Sequence, residues 1–276
     1  MKKIISSFIV LAISFIGNAA TVDTINIYSD AMHKDIKCVV VKPDSYENDN
    51  NQYPVVYLLH GYSGNFSNWI TKVPKLKEEV DQLQLIIVCP DGNYSGWYID
   101  SPIDPSMKYE TYVAKEVPAY IDSHYHTIKD RKARAITGLS MGGHGALFIA
   151  FRHADFFGAC GSMSGVVDLN FTKNKYDLIK RIGDTIQNAA YWKNYSVINI
   201  IDQYPKDSLA IIFDCGNDDP FAGINRELHK KMLKLKIPHD YTERPGTHNW
   251  DYWSNSIQYQ LLFFRNYFDK MKTSNR

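Results

Sequence analysis

The chain has 276 residues, 31 basic and 30 acidic side chains and a formal charge of +1, with no run of Lys or Arg long enough to follow a phosphate backbone. That balance excludes nucleic acid as an expected partner. The length suits one large α/β domain with a single sizeable core.

In chain order the first feature is Lys2 and Lys3, an apolar run from Ile4 to Ile16, then Gly17, Asn18, Ala19 and Ala20. A basic start, a short apolar stretch and small residues at a cleavage point form a signal peptide. We therefore divide the chain into a leader, 1–19, and one domain, 20–276, and expect a periplasmic or secreted protein. No later stretch approaches the roughly 20 apolar residues of a spanning helix. Four cysteines in an exported chain allow two disulfides, but Cys38, Cys89, Cys160 and Cys215 each lie in or at the end of an apolar run. There a free thiol behaves as a small buried hydrophobe, and we read all four as thiols.

Apolar runs rich in β-branched residues predict strands at Val22–Tyr28, Ile36–Val41, Val55–Leu59, Leu85–Cys89, Ala133–Thr137, Gly158–Ser162 and Leu209–Asp214. The first two are expected to pair antiparallel at one edge. Amphipathic helices are predicted over Tyr109–His124, Gly142–Arg152, Asn225–Leu235 and Trp253–Met271. Strands alternating with helices imply a mainly parallel sheet covered on both faces. Asp44–Gln52 is polar and reads as a surface loop, while Leu169–Asp207 breaks the spacing and reads as a partly helical cap over a site.

The chemistry centres on Gly138-Leu139-Ser140-Met141-Gly142, between a predicted strand and a predicted helix. A serine on so sharp a turn needs small neighbours two residues before and after it. A hydroxyl also needs a base oriented by an acid, and the order Ser, Asp, His is met downstream. The turn Cys215-Gly216-Asn217-Asp218-Asp219-Pro220 supplies two candidate acids, of which Asp219 is favoured and Asp218 is the alternative. Arg244-Pro245-Gly246-Thr247-His248-Asn249-Trp250 then brings His248 as the base. Of the other histidines, His60 and His144 near predicted turns and the pair His124 and His126 have a structural or surface role as their plainer reading. Two donors must face a developing oxyanion. We assign the backbone N–H of Met141 and that of Tyr62, in His60-Gly61-Tyr62-Ser63-Gly64.

Together these residues resemble the esterase D-like branch of the α/β-hydrolases, which includes feruloyl, acetyl xylan and tributyrin esterases, S-formylglutathione hydrolases and mycolyltransferases. The resemblance runs from about Ile25 to Phe268 through Leu58-Leu59-His60-Gly61, Pro90-Asp91-Gly92, Gly96-Trp97-Tyr98, Gly138–Gly145, Ser164-Gly165, Asp214-Cys215-Gly216 and Pro245-Gly246-Thr247-His248. It implies an α/β-hydrolase fold with a catalytic triad, places the acid at Asp219 and the second oxyanion donor at Tyr62, and departs from many relatives at Thr247 and Pro220. Trp69, Trp97, Tyr98, Trp250 and Trp253 lie where such a fold sends its loops to the site, with Trp97 and Trp250 the preferred substrate-stacking rings. Lys173, Lys175, Asp177, Lys180, Arg181 and Asp184 in the cap suit a soluble substrate. The expected function is a serine carboxylesterase acting on feruloyl or acetyl esters of plant-type polysaccharides or oligosaccharides. The alternatives are a general short-chain esterase and a carbohydrate acyltransferase. No metal or cofactor motif is present in the sequence.

Overall fold

The computed structural model describes residues 20–47, 51–172, 175–204 and 208–273, so the predicted leader, 1–19, lies outside the described residues. Eight strands form one sheet: β1 (Thr21–Ser29), β2 (Lys34–Lys42), β3 (Val55–Leu59), β4 (Ile86–Pro90), β5 (Arg134–Gly138), β6 (Ala159–Met163), β7 (Ala210–Gly216) and β8 (Asp240–Arg244). Their spatial order is β1-β2-β4-β3-β5-β6-β7-β8. The β1–β2 hairpin is antiparallel, with Ile27 opposite Ile36, and β2 meets β4 antiparallel. Every pair from β4 to β8 is parallel.

Helices α1 (Asn68–Lys72) and α2 (Leu76–Leu83) join β3 to β4. A stretch of α3 (Tyr109–Thr111), a π turn (Tyr112–Glu116) and α4 (Val117–His124) occupies the predicted helix before β5. Helix α5 (Met141–Arg152) follows β5. Three short helices, α6 (Leu178–Ile182), α7 (Ala189–Tyr195) and α8 (Val197–Ile200), lie between β6 and β7. Helix α9 (Ala222–Leu235) precedes β8, and α10 (Trp250–Thr273) follows it.

Side-chain alternation along the strands builds two cores. Val55, Tyr57 and Leu59 of β3 face one, with Val117, Leu147 and Leu228 from α4, α5 and α9. Val56 and Leu58 face the other, with Val80 of α2 and Ile257, Leu261 and Phe264 of α10. Both faces are therefore covered, as a parallel sheet requires. All four cysteines are free and buried.

The structure corrects the sequence reading in several places. Strand β8, with the sequence Asp-Tyr-Thr-Glu-Arg, lacks the apolar run of the other strands because it lies at the sheet edge and stays half exposed. Asp44–Glu47, at the start of the stretch read as a surface loop, is a 3-10 turn that buries Tyr46. The cap is partly helical as expected, and Leu178, Ile182, Trp192 and Val197 anchor it to the core beneath.

Candidate active site

Ser140 sits between β5 and α5 with φ 53° and ψ −114°. A non-glycine residue there costs on the order of 1–3 kcal/mol, so the surroundings must hold it. Its N–H donates to Met163 O at 2.9 Å, and its carbonyl accepts from His144 N at 3.0 Å. The flanking glycines are required by close approach. A Cβ on Gly138 would stand 2.7 Å from the Gly142 carbonyl, and one on Gly142 would stand 2.5 Å from His60 O.

His248 Nε2 lies 2.9 Å from Ser140 Oγ, and His248 Nδ1 lies 2.8 Å from Asp219 Oδ2. A carboxylate only accepts, so Nδ1 carries the proton and Nε2 turns its lone pair to the serine hydroxyl. Asp219 is buried, and its Oδ1 accepts from Phe221 N at 2.8 Å. Asp218 is exposed, and its N–H donates to Gly246 O at 3.0 Å, which joins the acid-bearing loop to the histidine-bearing loop. The geometry thus selects Asp219 over Asp218. Phe221 and Trp253 stand edge-on to the imidazole, with centroids 4.9 Å and 4.8 Å away, and pack against a ring that stays 24% exposed to the cleft.

The loop carrying Tyr62 passes against the serine, since a Cβ on Gly61 would lie 3.5 Å from Ser140 Cβ. Among the described residues, no hydrogen bond from the N–H of Tyr62 or of Met141 to a protein acceptor is formed; Tyr62 lines the cleft, and Met141 follows the cleft residue Ser140 as the first residue of α5. The cleft has a volume of about 300 Å³ and is lined by Tyr62, Trp97, Val166, Tyr176, Phe221, Trp250 and Trp253 around Ser140 and His248. Trp97 lines it but is 1% exposed, with its indole N–H donating to Tyr176 O at 2.9 Å. Trp250 is half-buried, edge-on to Trp69 and Trp253. Two of the candidate aromatics are core: Trp69 donates to Leu59 O, and the buried Tyr98 hydroxyl donates to His60 O. A larger surface cavity of about 430 Å³ lies at the other end of the sheet, lined by Tyr53, Ile128, Arg265 and Phe268, and holds no nucleophile–base pair.

The other histidines keep their structural readings. Buried His60 bonds Gly61 O through Nδ1 and accepts from Gly92 N through Nε2, each at 2.8 Å, and burial holds its pKa low. His144 bonds Tyr195 O at 2.8 Å, and burial lowers its pKa to about 4. His124 bonds the Tyr120 carbonyl at its own helix end. Among the described residues, no group of three or more His, Cys, Asp and Glu is placed to hold a metal ion, and no helix is long and apolar enough to cross a membrane.

Sequence reasoning missed the polar network under the site. Asp214 accepts from Tyr252 Oη at 2.8 Å, Ser256 Oγ at 2.6 Å and Gln260 Nε2 at 2.8 Å, which fastens β7 to α10 beneath the acid turn. Burial raises the Asp214 pKa against the pull of those donors. The available signal was the four-residue spacing of Tyr252, Ser256 and Gln260, which puts polar groups on the buried stripe of a helix. Phe221, Val166 and Tyr176 were also missed, because nothing local marks them as cleft residues.

A strained serine after a central parallel strand, with His and Asp delivered by the loops after β8 and β7, defines the α/β-hydrolase class of fold and site. Within that class the chain belongs to the Esterase family, whose profile matches residues 29–264. It is similar to Esterase Rv1288 of Mycobacterium tuberculosis (strain ATCC 25618 / H37Rv), 27% identical over 238 residues, which covers 76% of this chain and 51% of that one. The chain thus spans about half the length of that relative. It is also similar to an acetyl esterase of Caldicellulosiruptor saccharolyticus, 26% identical over 252 residues and covering 84% and 94% of the two chains. A solved ferulic acid esterase superposes with a TM-score of 0.79 at 30% identity, over 91% of this chain and 100% of that one.

Proposed function

We propose that this protein is a serine carboxylesterase that removes acyl groups, feruloyl or acetyl, from plant-type polysaccharides or their oligosaccharides outside the cytoplasm. The observation that carries the catalytic reading is the chain of contacts from Ser140 Oγ through His248 to Asp219, at 2.9 Å and 2.8 Å. Ser140 Oγ attacks the ester carbonyl carbon while its proton passes to His248 Nε2. The Tyr62 and Met141 N–H groups hold the oxyanion. His248 then gives that proton to the departing alcohol oxygen as its bond to carbon breaks, leaving an acyl-serine. Water attacks the acyl carbon, its proton goes to His248, and collapse of the second tetrahedral species returns the proton to Ser140. The carboxylic acid leaves.

The substrate reading is supported by the aromatic lining of the cleft, with Trp97 and Trp250 among its rings, and by the likeness to an acetyl esterase and a ferulic acid esterase. The extracytoplasmic location rests on the order of residues from Lys2 to Ala20. The test is hydrolysis of methyl ferulate, acetylated xylo-oligosaccharide and p-nitrophenyl acetate by protein and by Ser140→Ala. Release from the first or second that disappears in the variant supports the proposal. Turnover of p-nitrophenyl acetate alone reduces it to a general short-chain esterase.

A further inference from the structure

The cleft has two walls that come from opposite sides of β5 in the strand order. Phe221, His248, Trp250 and Trp253 follow β7 and β8, whereas Tyr62 follows β3 and Trp97 follows β4. Tyr176, just before α6, reaches across to the second group, where its carbonyl accepts the Trp97 indole N–H at 2.9 Å. This asymmetry assigns the two halves of an ester. His248 must protonate the leaving oxygen, so the alcohol lies along the His248 wall, and the substituent of the acyl carbon lies toward the other wall.

That other wall is a run of three tyrosines. The rings of Tyr62 and Tyr176 are 5.2 Å apart at 70°, and those of Tyr62 and Tyr94 are 4.9 Å apart at 69°. Tyr94 is not among the residues lining the cleft but packs on Tyr62 and is 56% exposed, so the run leads from the cleft residue Tyr62 to the surface. The hydroxyl of Tyr62 donates to Asp177 Oδ2 at 3.3 Å, and Asp177 pairs with Lys180 Nζ at 2.8 Å, which fixes the Tyr62 ring. Tyr176 and Asp177 both sit at positive φ, 58° and 57°, so the turn that presents the Tyr176 ring is held under strain. The cleft volume of about 300 Å³, shared by the two walls, is at the lower end of the roughly 300–1,000 Å³ range of small-molecule pockets.

We propose that Tyr62, Tyr176 and Tyr94 form an acyl-side selectivity wall that packs a planar aryl acyl group edge-to-face and favours it over acetyl. The inference rests on the reading of Ser140 as the nucleophile of an ester hydrolase and goes further by naming the acyl class and the residues that choose it. Edge-to-face packing suits flat rings, and the loss of one such partner weakens binding by up to about tenfold.

The experiment compares kcat/KM on methyl ferulate and on p-nitrophenyl acetate for the wild-type protein, Tyr176→Gly and Tyr94→Ala. Glycine removes the Tyr176 ring yet suits its left-handed backbone, and Tyr94 is exposed, so both variants retain the fold. Tyr176→Gly is expected to lower the ferulate-to-acetate ratio about tenfold, mainly through the KM for ferulate, and Tyr94→Ala to lower it by a smaller factor. An unchanged ratio in both variants overturns the wall. Wild-type turnover of p-nitrophenyl acetate with none of methyl ferulate overturns it too, while leaving the esterase reading intact. Failure of the wild type on both esters, with no labelling of Ser140 by a phosphonate, would instead overturn the esterase reading itself.

Discussion

Replacing Asp219 by Asn is the most informative single change, because the structure dictates which way the new amide must face. In the native site Asp219 Oδ1 accepts from Phe221 N at 2.8 Å and Oδ2 accepts from His248 Nδ1 at 2.8 Å. An amide keeps one acceptor, and the buried Phe221 N–H requires it, so the amide nitrogen must turn toward His248. Nδ1 then has to accept, the ring proton moves to Nε2, and Nε2 donates to Ser140 Oγ where it previously accepted. The base is lost although every heavy atom keeps its place. Such a tautomer reversal lowers kcat by roughly 10³–10⁴-fold, equivalent to about 4–5.5 kcal/mol at about 1.4 kcal/mol per tenfold. Steady-state hydrolysis of p-nitrophenyl acetate measures it, with exposed Asp218→Asn as the control, expected within about twofold of wild type. A kcat for Asp219→Asn within tenfold of wild type, or a larger loss in Asp218→Asn, would refute the reasoning.

Three further outcomes are expected. Gly142→Ala places a Cβ 2.5 Å from His60 O and 2.6 Å from Leu59 O, both backbone atoms that cannot swing aside, so urea denaturation should register a loss of about 1–3 kcal/mol; an unchanged midpoint would contradict the packing described for the turn. Burial keeps His144 neutral down to about pH 4 in the folded protein, against 6.5 when unexposed to that environment, so its contribution is whole above pH 6.5 and is lost as pH falls toward 4. Between pH 7.5 and pH 5 this amounts to about 2 kcal/mol, and His144→Gln should remove that share of the pH dependence; an identical pH slope in the variant would contradict it. Asp214→Leu leaves Tyr252, Ser256 and Gln260 without their shared buried acceptor, and thermal denaturation should show a marked loss of stability together with lower esterase activity; wild-type stability would remove the network from the account.

Much of this architecture was legible because the inner strands are short apolar runs, and because Gly138–Gly142 falls between one such run and a helix. The hydrophobic pattern reports burial on both faces of the sheet, so it found β3 through β7 to within a residue or two of their ends. It failed at β8, where an edge strand keeps Asp240 and Thr242 exposed and carries no apolar run. Helices α1 and α2 also went unmarked, since each is short and joined to its neighbours by a few residues. Ser140, His248 and Asp219 were readable from the order of motifs, whereas the choice between Asp219 and Asp218 became geometric only once the Phe221 N–H and the Gly246 carbonyl were in place. The cleft walls were the least legible part. Trp69, in the short helix α1, and Tyr98, in the Gly96-Trp97-Tyr98 motif, are core, while Tyr176 and Phe221 face the cleft from segments with no motif at all.

The central claim, that Ser140 is a nucleophile activated by His248, is tested most directly by treating the protein with a fluorophosphonate probe and mapping the adduct by peptide mass spectrometry. The account predicts one phosphonylated peptide, modified at Ser140, with labelling abolished in Ser140→Ala and strongly slowed in His248→Ala. Absence of a Ser140 adduct, or ester hydrolysis that persists in Ser140→Ala, would contradict it.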